Sequence, residues 1–178
     1  MEEIFLMPRI FSCKMAGLNE TRHIANSFKD ILEGEPWYGK PVYTILEEVE
    51  ETSAEKTINP GDHTMMDLLR HMISWAGFTL SLLRQDKEKA AAYETLDWEK
   101  TGESQTRWAD ALRQFKDIHH AIIQDITTRE NDDFLNDIAP LRTYSFRYLL
   151  QGLLQHNIYH AGQIAFIHKS LSHRSSAQ

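Results

Sequence analysis

Residues 145–171 read SFRYLLQGLLQHNIYHAGQIAFIHKSL. Apolar residues recur through this stretch at three- and four-residue steps, the spacing of one helix face, which predicts a long helix from about Ser145 to Leu171. The residues in phase on that face are Phe146, Leu149, Leu153, His156, His160, Ile164 and Ile167. Two histidines therefore occupy positions where the core of a helical protein usually has aliphatic side chains.

A second long helix is predicted to begin at Thr64. Thr64 and Asp67 have the spacing of a capping box, in which side chains satisfy the free amides of a first helical turn. The helix that follows has a stripe with steps of three, four, three and four residues: Leu68, His71, Trp75, Phe78 and Leu82. His71 is thus predicted to point inward.

The remaining segments also show helical periodicity and no convincing strand pattern. Helices are predicted from about Leu18 to Glu33, from near Pro41, and through a stripe from Trp108 to Ile126 that includes His119. The predicted connections are Glu50–Asp62, Asp86–Ser104 and Glu130–Pro140. Residues 18–178 are therefore expected to form one all-α domain, and residues 1–17 a poorly ordered N-terminal extension.

Composition narrows the class of protein. A net charge of -7 over 178 residues argues against a partner bound through phosphate neutralisation, so no nucleic-acid partner is expected. No run approaches the roughly 20 apolar residues of a membrane span, and the acidic start of the chain is unlike an export signal. Cys13 is the only cysteine, which excludes an internal disulfide and a thiolate-rich metal site. We expect a cytoplasmic protein.

The inward histidines indicate a metal site. His156 and His160 are four residues apart, so their imidazoles lie one helical turn apart on the same face. His71 could supply a third ligand from another helix and leave a coordination position open, as in catalytic zinc sites. A single inward histidine is more often a neutral core imidazole bonded to a neighbour. Three inward histidines together favour one divalent ion as their shared partner, because buried polar groups without a partner cost free energy.

The other histidines are weaker candidates. His119 shares the inward stripe of its helix and is either a fourth ligand, a hydrogen-bonding partner of the site or a core residue. Surface positions are expected for His23, His63, His168 and His173.

Three neutral imidazoles would leave the charge of the ion uncompensated, which lowers the pKa of a bound water or thiol. The segment His156–His160 lacks the glutamate of the H-E-x-x-H peptidases, so no built-in general base is predicted. Tyr159 is a candidate catalytic residue that donates a hydrogen bond to a substrate oxyanion, with packing between helices as the alternative. Gln163 is placed to orient a ligand.

The chain resembles the DinB/YfiT-like family of metalloenzymes in three segments: Trp37-Tyr38-Gly39, Leu68–His71 with Trp75, and Gln155–Ile164 in the form H-x-x-Y-H-x-G-Q-I. The resemblance implies a four-helix bundle of up-down-down-up connectivity, ligation of zinc, nickel or a similar ion by His71, His156 and His160, and a homodimer. Some members of the family use a low-molecular-weight thiol, such as bacillithiol or mycothiol, as co-substrate.

The expected function is a metal-dependent enzyme, with thiol S-transfer to a small-molecule electrophile as the leading hypothesis. A metal-dependent hydrolase and a non-catalytic, stress-related metal-binding protein are the alternatives. Neither the metal nor the substrate follows from the residues, since imidazole suits zinc, nickel, copper and iron alike.

Overall fold

The computed structural model describes residues 19–98 and 106–176. The extension predicted over residues 1–17 lies outside these ranges. The helices are α1 (Asn19–Glu33), α2 (Val42–Glu47), α3 (Glu51–Ala54), α4 (Met65–Leu83), α5 (Lys87–Thr95), α6 (Trp108–Thr127) and α7 (Phe146–Ser176), with a 3-10 helix at Asp133–Asn136. The described residues include no β-strand, only a single antiparallel bridge between Ile138 and Ser145. The predicted all-α class is confirmed.

The capping box at the start of α4 is present as predicted. The Thr64 hydroxyl accepts a hydrogen bond from the Asp67 amide, and the Asp67 carboxylate accepts one from the Thr64 amide, both at 2.9 Å. The helix then places its predicted stripe in the core: Leu68, His71, Phe78 and Leu82 are buried and Trp75 is partly buried. The interior position of His71 therefore follows from where the helix begins.

Helix α4 lies at the centre of the protein and packs against α5, α6 and α7. The side of α6 that faces the core is formed by fully buried residues: Phe115, His119, Ile122 and Ile126. Along α7 the buried positions include Leu149, Leu153, His160 and Ile164, while His156 is partly buried. The two helices that carry the three inward histidines are thus direct neighbours. None of the helices in the described ranges is long and apolar enough to cross a membrane.

Two predicted connections contain α-helices, and the third, Glu130–Pro140, contains the 3-10 helix. Helix α3 lies within Glu50–Asp62, and α5 lies within the described part of Asp86–Ser104. Helix α5 is capped by Asp86, whose carboxylate accepts the Lys89 amide at 2.9 Å, and it buries only Ala90. A helix with one buried residue has no apolar stripe, and the four-residue α3 is too short for a period. For these reasons the sequence pattern missed both helices.

A glycine allows α5 to approach α4 closely. A Cβ atom at Gly77 would lie 2.3 Å from the Tyr93 ring, and the Ser74 hydroxyl donates a hydrogen bond to the Tyr93 carbonyl at 2.7 Å. No side chain larger than hydrogen fits at this contact without moving the tyrosine. The turn after α5 is consequently held beside the middle of α4, where His71 lies.

Candidate metal centre

Three imidazoles from two helices meet in one cluster. Helix α4 contributes His71, and α7 contributes His156 and His160, so that one potential ligand atom from each ring lies within 4.8 Å of the others. Nε2 of His71 is 2.9 Å from Nε2 of His156. His71 and His160 are buried, and His156 is partly buried. The structure thus brings together the three residues that the sequence singles out.

Hydrogen bonds on the outer side fix two of the rings. Nδ1 of His71 donates to the carboxylate of Asp97, in the turn after α5. Nδ1 of His160 donates to the side-chain oxygen of Gln163 at 2.6 Å, which agrees with the orienting role predicted for Gln163. A neutral imidazole that donates through Nδ1 keeps a lone pair on Nε2. In both rings that nitrogen is therefore available to a cation, the arrangement that outer-sphere partners produce around metal-binding histidines.

All three rings are held in the neutral form that binds metals. Burial lowers the pKa of His71 and of His160, while the hydrogen bonds to Asp97 and Gln163 work in the opposite direction. The pKa of His156 falls to about 3, because burial is reinforced by the neighbouring histidines. At neutral pH none of these rings carries a second proton that a cation would have to displace.

The donor set fits one divalent ion. Nitrogens that share a zinc ion lie about 2.0–2.1 Å from it and hence up to about 4 Å from one another. The ligand atoms of the cluster, all within 4.8 Å of one another, are close to that spacing. The short contact between His71 and His156 agrees with this interpretation. Two ring nitrogens 2.9 Å apart need either a proton or a cation between their lone pairs. The buried Nδ1 of His156 has no hydrogen-bond partner among the described residues. No hydrogen bond at Nδ1 therefore assigns His156 to a different role.

An aromatic side chain covers the cluster on the α5 side. The indole of Trp98 stacks on His71 and, on its other face, packs against His63 with ring centroids 4.1 Å apart. Trp98 has a backbone φ of 58°, in the left-handed region that non-glycine residues rarely adopt. His63 is exposed, as predicted, and contacts the indole of Trp98.

His119 belongs to the core and is not part of the cluster. Its Nδ1 donates to the Phe115 carbonyl at 2.9 Å, and its Nε2 accepts from the side-chain amide of Asn157 at 2.8 Å. Full burial lowers its pKa to about 4. With both ring nitrogens engaged, His119 has no free donor atom for a metal. It instead holds Asn157, the residue next to His156.

Tyr159 lies at the rim of the cluster. Its side chain is 63% exposed, so it does not pack between helices, which was the alternative role for this residue. Its hydroxyl accepts a hydrogen bond from the side-chain amide of Gln163 at 3.3 Å. The hydroxyl proton therefore remains free to be donated to a bound molecule.

Two cavities border the ligand-bearing part of α7. One, of about 200 Å³, is lined by Trp75, Thr79, Tyr144, Tyr148, Leu149, Gly152, Leu153 and His156. The other, of about 450 Å³, is lined by residues that include His63, Tyr159, Gly162 and Gln163. The smaller cavity reaches a candidate ligand directly, whereas the larger one meets the residues around His160.

Sequence reasoning missed Asp97 and Trp98. Asp97 lies 26 residues from its partner His71, in a turn that follows a helix without an apolar stripe. No spacing rule connects two such positions. A carboxylate next to an aromatic residue was the only local signal, and it is too common to indicate a site by itself.

The fold and the cluster together define an all-helical protein whose donor set fits a metal-binding function. Residues 42–164, a span that contains all three histidines, match the family model of the DinB superfamily. The chain belongs to the DinB superfamily, which confirms the resemblance seen in the sequence. A search of curated proteins finds none that matches the chain.

Proposed function

We propose that this protein is a divalent-metal-dependent enzyme that transfers a low-molecular-weight thiol to a small electrophile. The observation that carries the proposal is the convergence of three neutral imidazoles, two of which are oriented through Nδ1 by Asp97 and Gln163. Zinc and nickel are the ions we favour. We also propose that the four long helices follow one another in up-down-down-up order and that the protein is cytoplasmic.

The chemistry of the site follows from its neutral ligands. An ion held by three imidazoles supplies a Lewis acid that lowers the pKa of a bound thiol. His71, His156 and His160 hold the ion, while Asp97 and Gln163 keep two of the rings aligned. In the transfer, the thiol proton passes to solvent, sulfur forms a bond to the electrophilic carbon, and the leaving group departs with its electron pair.

Tyr159 is the proposed catalytic side chain. Gln163 donates to its hydroxyl oxygen, so the hydroxyl proton can be directed towards negative charge that develops on the electrophile. The side chain is exposed at the rim of the larger cavity, where a substrate can reach it.

Thiol transfer is favoured over hydrolysis by the residues around the cluster. A hydrolase of the H-E-x-x-H type uses a glutamate beside its first histidine as general base. Here Asn157 follows His156, and its amide is directed to His119. The Asp97 carboxylate already binds His71. A thiol with a lowered pKa ionises without such a base. A thiol is therefore a more suitable nucleophile for this site than water.

The smaller cavity is the proposed site for the apolar body of the electrophile, and its reacting end would extend past His156 to the rim of the cluster, where Tyr159 lies. Its walls are mostly aromatic and aliphatic, with the Thr79 hydroxyl hydrogen-bonded to the Trp75 carbonyl at 2.9 Å. A volume of about 200 Å³ holds a compact molecule with an apolar body. His156 forms one wall, which places the reacting end beside the metal centre.

Metal stoichiometry tests the ligand set first. The wild-type protein should bind one zinc or nickel ion per chain, and His156→Ala should bind none above background. His173→Ala removes an exposed histidine from the same helix and serves as the matched control. Full metal occupancy in His156→Ala, measured by elemental analysis with folding checked by circular dichroism, would refute the assignment.

The reaction is tested with the metal-loaded protein. Initial rates should be measured with an aryl halide against increasing cysteine, bacillithiol or mycothiol, and separately with a nitrophenyl ester without thiol. Saturable dependence on a thiol, lost in His156→Ala, supports transfer. Thiol-independent ester turnover would indicate the hydrolase. No turnover, together with a metal spectrum that thiols leave unchanged, would favour the non-catalytic alternative.

A further inference from the structure

The smaller cavity beside α7 has two chemically different ends. It follows the helix from Tyr148 to His156, positions about 12 Å apart along the axis at 1.5 Å per residue. Tyr144 lies beside Tyr148, with ring centroids 5.1 Å apart, and we call these two residues the tyrosine end. Trp75 lies beside His156, with ring centroids 6.1 Å apart. A molecule in the cavity therefore meets tyrosines at one end and the histidine cluster at the other.

The Tyr144 hydroxyl accepts a hydrogen bond from a guanidinium group. Nε of Arg142 donates to it at 3.1 Å. Arg142 is not among the described residues that line the cavity, whereas Tyr144 is. A hydroxyl oxygen that accepts from a cation becomes a stronger donor through its own proton, because hydrogen bonds in a chain polarise one another. Tyr144 can therefore offer a polarised O–H group to a molecule in the cavity.

Arg142 is held in place by three further contacts. Its Nη2 donates to the Glu94 carboxylate at 2.6 Å, and its Nη1 donates to the Leu141 carbonyl at 2.9 Å. The guanidinium also lies over the Phe78 ring, 4.4 Å from its centroid. Leu141 has a backbone φ of 63°, in the left-handed region that costs a non-glycine residue free energy. The turn thus fixes the donor behind the Tyr144 hydroxyl.

The charges around the tyrosine end favour a neutral ligand. No Asp, Glu, Lys or Arg is among the described residues that line the cavity, and the charge of Arg142 is matched by Glu94. An anion bound there would lose its hydration without gaining a free cation. The Thr79 hydroxyl donates to the Trp75 carbonyl, so its proton is already used. Aromatic walls with one polarised hydroxyl match a flat, uncharged molecule that carries an acceptor oxygen.

We propose that the smaller cavity selects uncharged, planar molecules that carry a carbonyl or nitro oxygen, and that the Tyr144 hydroxyl donates a hydrogen bond to this oxygen. The oxygen lies at the tyrosine end, and the rest of the molecule extends towards His156 and leaves Tyr159 open at the rim. This substrate class rests on the proposed function, since it specifies the electrophile. Its test measures binding alone, without thiol and without turnover.

Two fluorinated probes isolate the hydrogen bond. Para-fluoroacetophenone carries a carbonyl where para-fluoroethylbenzene carries a methylene group, and fluorine NMR titration gives the dissociation constant of each. Tyr144→Phe should weaken binding of the ketone about 3–10-fold, the value of one hydrogen bond between uncharged groups, and leave binding of the hydrocarbon unchanged. The ratio of the two constants cancels any general effect of the substitution on the cavity.

Matched variants test the donor and the location. Tyr148→Phe removes the other hydroxyl of the tyrosine end and should leave both dissociation constants unchanged. Gly152 lines the cavity and has open space at its Cβ position, so Gly152→Leu should block the binding of both probes. Gly162→Leu adds the same side chain at an equally open glycine of the larger cavity and should leave binding of both probes intact.

The outcomes separate this proposal from its alternatives. A Tyr144→Phe variant that loses affinity for both probes equally, or for neither, overturns the hydrogen bond. Binding that Gly162→Leu abolishes and Gly152→Leu spares overturns the location, as does a failure of both probes to bind. Thermal unfolding checks each variant, and if Gly152→Leu does not fold, the comparison of Tyr144→Phe with Tyr148→Phe decides.

The probes also distinguish this proposal from the proposed reaction. Loss of ketone affinity in Tyr144→Phe, found together with an absence of thiol transfer, would refute the reaction and support the ligand class. Thiol transfer with a ketone affinity that does not depend on Tyr144 would do the reverse.

Discussion

The indole of Trp98 stacks on the imidazole of His71, with ring centroids 3.9 Å apart and planes inclined by 22°. The opposite face of the indole lies against His63. An aromatic ring in van der Waals contact with a candidate ligand responds to any charge placed on that ligand. The fluorescence of Trp98 should therefore respond to changes at the cluster.

Zinc binding should change the tryptophan fluorescence. The change is expected to saturate at one equivalent of zinc and to be lost in Trp98→Phe. Trp37→Phe, which alters a fully exposed tryptophan remote from these contacts, should retain it. A signal that survives in Trp98→Phe would mean that the ion binds away from His71, or is sensed by Trp75, whose ring lies 6.1 Å from that of His156.

Asp97 should strengthen metal binding through His71. Asp97→Asn keeps an oxygen that accepts the Nδ1 hydrogen but removes the negative charge that makes the ring a better donor. Loss of such an outer partner typically weakens metal affinity about 10–100-fold. We expect a loss of affinity near the lower end of this range for Asp97→Asn and a larger loss for Asp97→Ala. Zinc competition with a chromophoric chelator measures the effect, with the exposed Asp117→Asn as control. Equal affinities in all variants would contradict the role.

His119 should make stability depend on pH. Its pKa is about 4 in the folded protein, whereas an ordinary histidine titrates near 6.5. Above pH 6.5 neither state binds the proton. Between pH 6.5 and 4 the unfolded chain binds it and the folded protein does not, so the free energy of unfolding falls, by about 2 kcal/mol at pH 5.

His119→Gln tests this pH dependence, since the glutamine oxygen can still accept from Asn157. The variant should be less stable at pH 7 by about 1–3 kcal/mol, the usual cost of disturbing a buried hydrogen bond. It should lose less stability than the wild type between pH 7 and 5. Urea unfolding of both proteins at the two pH values gives the comparison; identical losses would show that His119 does not carry the effect.

Gly77→Ala should destabilise the protein, although alanine normally stabilises a helix by roughly 0.5–1 kcal/mol relative to glycine. The new methyl group would overlap the Tyr93 ring, and overpacking of this kind costs about 1–3 kcal/mol. The double variant Gly77→Ala/Tyr93→Ala supplies the control, because without the ring the alanine has space. If Gly77→Ala lowers the free energy of unfolding by the same amount with and without the Tyr93 ring, the contact with Tyr93 is not the cause of the destabilisation.

Local rules account for the elements that the sequence predicted. The stripes of α4, α6 and α7 repeat every 3.6 residues because their helices bury one side, and the Thr64 capping box depends on residues three apart. His156 and His160 share a face for the same reason. The up-down-down-up order, the metal and the reaction stay predictions, since no local pattern encodes connectivity in space or the identity of a substrate.

The sequence by itself determined the helical class and the family, and it singled out the three inward histidines. Periodicity and motif spacing depend only on residues that are close together in the chain, so they do not depend on how the helices pack. Only the tertiary structure decided that Asp97 binds His71, that His119 is occupied by Phe115 and Asn157, and that Tyr159 is exposed. Each of these depends on which surfaces of separate helices come into contact, because hydrogen-bond partners and burial are set by that packing and not by position along the chain.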